Sequence, residues 1–299
     1  MKKILKINKN FDIRLDKFLK VTYSSLTQGF IEKNVRKKNI LINNQKTLSN
    51  YIVRKNDYLK ILNFHEDKYK NKIVFKRNVN ISNEEIRKFD KSIVFQNNNF
   101  LVLNKWSSIA TQSGSKINIS IDDIIKKKSS DFKLVHRLDK ETSGLLIIAK
   151  NLSTAKIFGS LFKSNKIKKT YFAICEGVPK LNESLLDLNI LDKNNRMQLS
   201  KTYYKLISSS NSLSLILFKP MTGKTHQLRI VSKKISAPIV GDNKYNSHSK
   251  FKNEILKLNA CSLEFTIKEK TYKITSKFSE DFNNFLKKNN FKNIKNIKI

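Results

Sequence analysis

The sequence predicts an α+β chain of two modules, a small one near the N-terminus and a larger one after it. Three observations carry that prediction. The chain has 299 residues, a length that suits about two domains, each able to bury a core. Residues 12–62 pass from helical periodicity to short strand-like runs. The remainder interleaves apolar runs of strand length with segments of helical periodicity. Its run at 145–149 is apolar throughout, as in a strand covered on both faces.

In the small module, Asp12 is a candidate helix cap, and Leu15, Phe18 and Leu19 follow at helical spacing. A second helix is expected over 26–38, with Phe30, Ile31 and Val35 on one face. Ile40-Leu41-Ile42 reads as a strand, Asn43-Asn44 as a turn, and 58–62 as another strand. Residues 63–90 are polar and charged and read as a linker, with a candidate strand at 71–77.

The larger domain is expected over 91–289. Strands are predicted at 92–95 and 100–103 around an Asn-rich turn, then a short helix at 122–128. After the 145–149 strand come an Asn151 turn, a helix at 153–163 and a strand at 170–175. The run 213–218 is apolar on both alternating faces apart from Ser214, again a doubly covered strand. Strands at 263–267 and 271–275 and a helix at 280–287 close the domain. Residues 290–299 form a basic Lys/Asn-rich tail, expected to be loose. There is no internal repeat.

The formal charge is +36, from 60 basic and 24 acidic residues. Such a surface suits a polyanion. The chain is rich in Lys, Asn and Ile together, so part of the lysine excess reflects coding bias. Arginine is more informative. Only eight occur, yet Arg14, Arg137 and Arg229 all fall in the motifs described below. A planar fork that grips a carboxylate or phosphate at two points is not replaced by lysine. Residues 1–62 hold fifteen basic and four acidic residues, a net +11, and the remaining 237 carry +25. Charge is therefore denser in the small module.

Cys175 and Cys261 lie far apart in apolar, strand-like surroundings. With no Cys-x-x-Cys and four scattered histidines there is no zinc spacing, and both thiols read as reduced core residues. No apolar run approaches membrane-spanning length, and the basic start lacks the apolar core of a signal peptide. A cytoplasmic protein without metal or membrane association is expected.

The chain's most informative stretch is 134–150. Arg137 and Asp139 stand two residues apart in a charged turn that runs into the buried strand, with Gly144 at its mouth. An acid held at the edge of a rigid sheet is well placed as a nucleophile or base. Taken alone, an Asp before Ser-Gly more often shapes a turn by bonding its own backbone. The longer string alters that balance. His136-Arg137-Leu138-Asp139, followed by Thr142-Ser143-Gly144, resembles the central motif of the RluA family of pseudouridine synthases.

Other segments resemble that family in its own order. Asn104-Lys105-Trp106 through Ser115 is similar to its first motif, with Trp106 at a usual Pro and Ser108 at a usual Gly. Lys169, Tyr171 and Ala173 match its Lys-x-Tyr-x-Ala segment. Thr222-Gly223-Lys224-Thr225-His226-Gln227-Leu228-Arg229 resembles its third motif, with Lys224 at a usual Arg and Val231 at a frequent His. Pro238-Ile239-Val240-Gly241-Asp242 and Tyr245 continue the match. The small module resembles the S4 RNA-binding domain, from Arg14-Leu15-Asp16-Lys17 to Asn56-Asp57. Asn39, Asn44 and Asn56 stand where glycine is usual, and Asn tolerates left-handed backbone best among the alternatives.

The resemblance implies a catalytic domain on a mixed, mainly antiparallel sheet with flanking helices, behind an RNA-docking S4-like module. It implies isomerisation of uridine to pseudouridine without metal, redox or nucleotide cofactor, by a chain expected to be monomeric. Asp139 becomes the nucleophile or base. Arg229 would pair with it, favouring the charged carboxylate and fixing its direction. Tyr171 would lie against the uracil and help remove the C5 proton, with Leu228 lining the same pocket. Arg137, beside His136 at the substrate, would fill the gap left by a flipped nucleotide, where a stacking guanidinium offsets lost base stacking. Arg14, Lys17, Arg36, Lys37 and Lys38 are the expected phosphate contacts.

Within the family the loop 110–115 and the S4-like module look most like the RluC branch, which implies large-subunit ribosomal RNA as substrate. Three alternatives carry less. A non-catalytic RNA-binding assembly factor would not need Asp139, Tyr171 and Arg229 together. A family member acting on tRNA differs mainly in its loops. An aspartate-based hydrolase would need a metal or second acid near the motif.

Overall fold

The computed structural model describes residues 1–71, 79–114, 117–192 and 195–291. The chain divides into two compact units, 1–78 and 79–299.

In the first unit, strand β1 (Lys3–Lys6) precedes helices α1 (Leu15–Thr22) and α2 (Gln28–Arg36), then strands β2 (Ile40–Ile42), β3 (Gln45–Lys46) and β4 (Tyr58–Ile61). The sheet order is β1-β4-β2-β3. Leu15, Leu19, Ile31, Ile40, Val53 and Leu59 are fully buried in its core. Thr27 caps α2 by accepting from the Phe30 N–H, which starts that helix two residues later than its apolar pattern suggests. Asn43 and Asn44 both take left-handed angles, as a two-residue hairpin between β2 and β3 requires. Asn56 is also left-handed, but Asn39 is not; there the left-handed residue is its neighbour Lys38.

This unit extends further than the expected 12–62. Strand β1 pairs with β4, and Phe64 and Tyr69 stack on each other within its core. The expected linker therefore begins as packed chain. Its far end is helical: Ser82 and Glu85 form a capping box that opens helix α3 (Asn83–Lys91). The candidate strand at 71–77 falls almost wholly on residues outside the described ones.

The second unit continues with β5 (Ile93–Gln96), β6 (Phe100–Lys105), α4 (Ile121–Lys128), β7 (Lys133–Leu134), β8 (Ser143–Ala149), α5 (Leu152–Lys163) and β9 (Lys168–Glu176). Then come β10 (Glu183–Leu191), β11 (Met197–Ser210), β12 (Leu213–Pro220), α6 (Gln227–Lys234), β13 (Leu258–Ile267), β14 (Lys270–Thr275) and α7 (Glu280–Lys288). The sheet runs β10-β11-β12-β9-β13-β8-β6-β5, with β14 on β13 and β7 on β8. Its ladders are antiparallel except β13–β8, which is parallel. The sheet is thus mixed and mainly antiparallel.

Strand β8 is buried along its whole length. Successive side chains point to opposite faces. Leu146 and Ile148 join the cluster of Ile121, Ile124 and Ile125 from α4. Leu145, Ile147 and Ala149 join Phe158 of α5 and Phe265. Strand β12 divides likewise, Leu213 and Leu215 to one cluster and Ile216 and Phe218 to another. The long β10–β11 hairpin was not apparent in the sequence. Its strands are half-exposed and interrupted by Ser, Asn and Lys, so neither shows a clean apolar run. At the other end, Phe291 is buried against the α7 cluster, so the expected loose tail begins later; 292–299 lie outside the described residues.

Gly144 sits where β8 changes partners, paired with Lys105 of β6 on one side and Ala260 of β13 on the other. Its φ is +110°, and a Cβ there would meet the Ala260 carbonyl oxygen at 2.2 Å. Backbone at the centre of a sheet cannot yield. Gly144→Ala is therefore expected to lower stability by about 3 kcal/mol or more. Urea unfolding checks this; an unchanged midpoint would contradict the geometry.

Candidate active site

The loop 136–142 is fixed on several sides before it presents Asp139. Burial pushes the His136 imidazole down to about 3, so it stays neutral. Its Nε2 accepts the Ile147 N–H at 2.8 Å and its ring stacks on Phe162. His136 edges the cleft, but this nitrogen is committed to holding the loop against β8. One residue beyond Arg137, Thr111 clamps Leu138 at two points: its hydroxyl donates to the Leu138 carbonyl at 2.7 Å and accepts the Leu138 N–H at 3.2 Å. Thr142 N–H closes the turn on the Asp139 carbonyl.

The loop after β6 supports the same turn from below. The buried Lys105 Nζ donates to the carbonyls of Trp106, Ile109 and Lys140, which uses all three ammonium protons. Ser107 Oγ donates to the Glu141 carbonyl at 2.6 Å. Ser108 adopts φ 68°, so the usual glycine at this place answers a left-handed backbone, which Ser takes here at some strain. Trp106, in the usual Pro position, lies under the Lys88 ammonium.

Asp139 opens onto a cleft of about 970 Å³. Arg137, Tyr171, Leu228 and Arg229 line the same cleft, as do His226 and Tyr245. These side chains come from the loop before β8, from β9, from α6 and its cap, and from the segment after α6. Tyr171 pairs with Ala260 of β13, whose start also reaches the cleft through Leu258. The convergence follows from strand order, since β9, β13 and β8 are neighbours. Arg137 is exposed at the rim, where it donates to Gln112 Oε1 at 3.2 Å. The five expected RNA contacts, Arg14 to Lys38, lie in the other unit and are exposed; Arg14 places its fork on Asp16 at the start of α1.

One expectation changes. The Arg229 fork closes on Asp242, not on Asp139: Nε donates at 2.8 Å and the second nitrogen at 2.6 Å. The pair is buried, and Asp242 also accepts the N–H groups of Lys244 and Tyr245. Burial alone would pull the guanidinium down. The Asp242 hydrogen bonds and charge, with Asp139 and Glu141 adding to them, raise it instead. The direction of Arg229 is thus set by Asp242, with the Asp139 charge nearby. Tyr171 lies in the cleft as expected. Burial, then the nearby charge of Asp139, raises its phenol far above the ordinary value. The phenol is therefore protonated at rest and presents an O–H and an aromatic face to the cleft.

The turn before α6 is tied down by Gln227. Its Oε1 accepts from Thr222 Oγ1 and the Lys224 N–H, and its Nε2 reaches Thr202 and the Lys201 carbonyl on β11. His226 precedes it in a left-handed conformation, φ 54°. Its Nδ1 is 3.0 Å from the Tyr245 hydroxyl and its Nε2 is 3.7 Å from Asp139 Oδ2. His226, Asp242 and Tyr245 all fall in the matched motifs, yet no spacing in the sequence placed them beside Asp139.

Comparison with known proteins gives a consistent picture. The family profile for RNA pseudouridylate synthase matches residues 99–234. A ribosomal large subunit pseudouridine synthase C of Rickettsia typhi is 40% identical over 264 residues, 82% of this chain and 86% of its own. The protein of that name from Rickettsia prowazekii is 39% identical over 92% of this chain and 96% of its own. The solved structure of human RNA pseudouridylate synthase domain containing 4 overlaps at TM-score 0.61 and 24% identity, covering 68% of this chain and 94% of that one, which shows a shared fold.

Proposed function

This chain belongs to the RNA pseudouridylate synthase family, and from that premise we propose that it isomerises specific uridines of large-subunit ribosomal RNA through Asp139. The isomerisation breaks the N1–C1′ bond, turns the uracil, joins C5 to C1′ and moves one proton from C5 to N1. No atom is gained or lost. The reaction needs a carboxylate at the sugar, a wall against the base and a site shielded from water. Asp139 serves whether it attacks the sugar carbon or removes a neighbouring proton, since both routes put one carboxylate in one place. Tyr171 faces the uracil, Leu228 packs beside it, and Arg229 supplies positive charge from its Asp242 mount. Arg137 at the rim is suited to take the space a flipped nucleotide leaves.

The observation that carries this reading is the meeting of Asp139, Tyr171 and Arg229 in one cleft. Large-subunit RNA is favoured because relatives that match most of this chain carry that substrate in their names. Mapping pseudouridines in ribosomal RNA with and without the protein tests it. Sites should vanish from the large subunit when the protein is lost. Loss confined to tRNA would shift the substrate; no loss anywhere would favour the assembly factor.

The first unit is proposed as an S4-like RNA-docking module, with Arg14, Lys17, Arg36, Lys37 and Lys38 on phosphates. Two features support it. The helix–helix–hairpin order fits that resemblance. Lysines also stand beside lysines: Lys46 pulls the Lys38 ammonium down and Lys2 does the same to Lys60, so like charges crowd where an anion would relieve them. Removing residues 1–78 should weaken RNA binding and flatten its salt dependence, by roughly 0.7–0.9 in log–log slope for each phosphate no longer neutralised. Activity should persist on short RNA at low salt. An unchanged slope would mean these residues dock no phosphate.

A further inference from the structure

We propose that His226, held by Tyr245, is the residue that positions the Asp139 carboxylate, an inference that rests on Asp139 being the reacting group. His226 occupies the cap position of α6, where a side chain ordinarily bonds the first free N–H groups. It makes no such bond and keeps a left-handed backbone, a strained conformation for a non-glycine residue. The conformation aims the ring into the cleft. One ring nitrogen, Nδ1, meets the Tyr245 hydroxyl at 3.0 Å with the rings edge to face. The other, Nε2, is 3.7 Å from Asp139 Oδ2, a small closing movement from a hydrogen bond.

The holder is itself held. Tyr245 N–H donates to Asp242 at 3.0 Å, and the Tyr245 ring lies beneath the Arg229 guanidinium, 5.2 Å from its centre. A chain of contacts therefore runs from the buried Arg229–Asp242 pair through Tyr245 and His226 to Asp139. The charged groups around the imidazole are Asp139, Arg229, Lys244 and Asp242. Burial, with the two cations, keeps the ring neutral against the pull of the two carboxylates. A neutral imidazole has one N–H and one lone pair. The tautomer with its proton on Nε2 lets the Tyr245 O–H donate to Nδ1 and points an N–H at the carboxylate. The other tautomer would set a lone pair against an anion. The arrangement fixes one oxygen of Asp139 without neutralising it and leaves the second for the substrate.

The test compares single-turnover rate, RNA affinity and unfolding midpoint in the full chain for His226→Ala, His226→Gln, Tyr245→Phe and Asp139→Asn. Gln keeps an N–H donor near the place of Nε2, and Phe removes one oxygen while keeping the ring under Arg229. His226→Ala should slow the chemical step about 100-fold, the scale of a misplaced reacting group, with RNA affinity unchanged. His226→Gln should recover to within about tenfold of the natural rate, and Tyr245→Phe should fall about tenfold. A folded His226→Ala protein at full rate, or a Gln variant as slow as Ala, would overturn the positioning role. Tyr245→Phe at full rate would overturn the holder, and it keeps the inference testable should the Ala protein not fold. Turnover by Asp139→Asn would instead remove the premise, a separate failure.

Discussion

Asp139→Asn is expected to abolish pseudouridine formation, by at least about 10⁴-fold, while folding and RNA binding stay near normal. The substitution keeps the volume of the side chain and removes its charge and nucleophilicity. Little of the fold depends on that carboxylate. The turn closes through the Asp139 carbonyl, and the loop is held at Leu138 by Thr111 and at Lys140 by Lys105. Stability should therefore move little. Release of tritium from RNA labelled at uracil C5, measured beside filter binding and a melting curve, decides the matter. Appreciable release by a folded variant would sink the assignment of Asp139.

Asp242→Ala is expected to act on both stability and turnover. The carboxylate is fully buried and accepts four hydrogen bonds, two from Arg229 and two from backbone N–H groups. Removing one partner of a buried pair leaves the other charge uncompensated, a cost of about 3–5 kcal/mol. Arg229 would then lose its direction, and the chemical step should slow by about 100-fold or more. Arg229→Lys should keep more of the stability and lose comparable activity, because an ammonium cannot occupy both Asp242 oxygens in the same plane. Replacing both partners by apolar residues of similar size should recover part of the stability and none of the activity. Recovery of both would mean the pair has no part in the reaction. Urea unfolding and single-turnover kinetics on the same preparations separate these outcomes.

The sequence by itself determined the elements with strong local signals. The apolar run at 145–149 and the alternating faces at 213–218 read as doubly covered strands, and they are strands. Asn43-Asn44 could serve a tight hairpin because Asn tolerates left-handed angles. Asp139 stood out because it lies in a long and specific string, His136 to Gly144. The half-exposed β10–β11 hairpin showed no clean apolar run, and the capped helix α3, polar apart from Ile86 and Phe89, was read as linker.

What only the tertiary structure decided is how the matched motifs face one another. Arg229 and Asp242 are thirteen residues apart, separated by a helix and a turn, and their pairing depends on how α6 packs against the sheet. No local pattern encodes that. The same holds for the protonation of Tyr171 and His226, which depends on the depth of burial and on charges contributed by distant loops and helix α6. Spacing along a chain reports which side chains share a face. The partner each one meets, and the charge it carries there, are set by contacts between distant segments, and those exist only once the sheet has brought β8, β9 and β13 together.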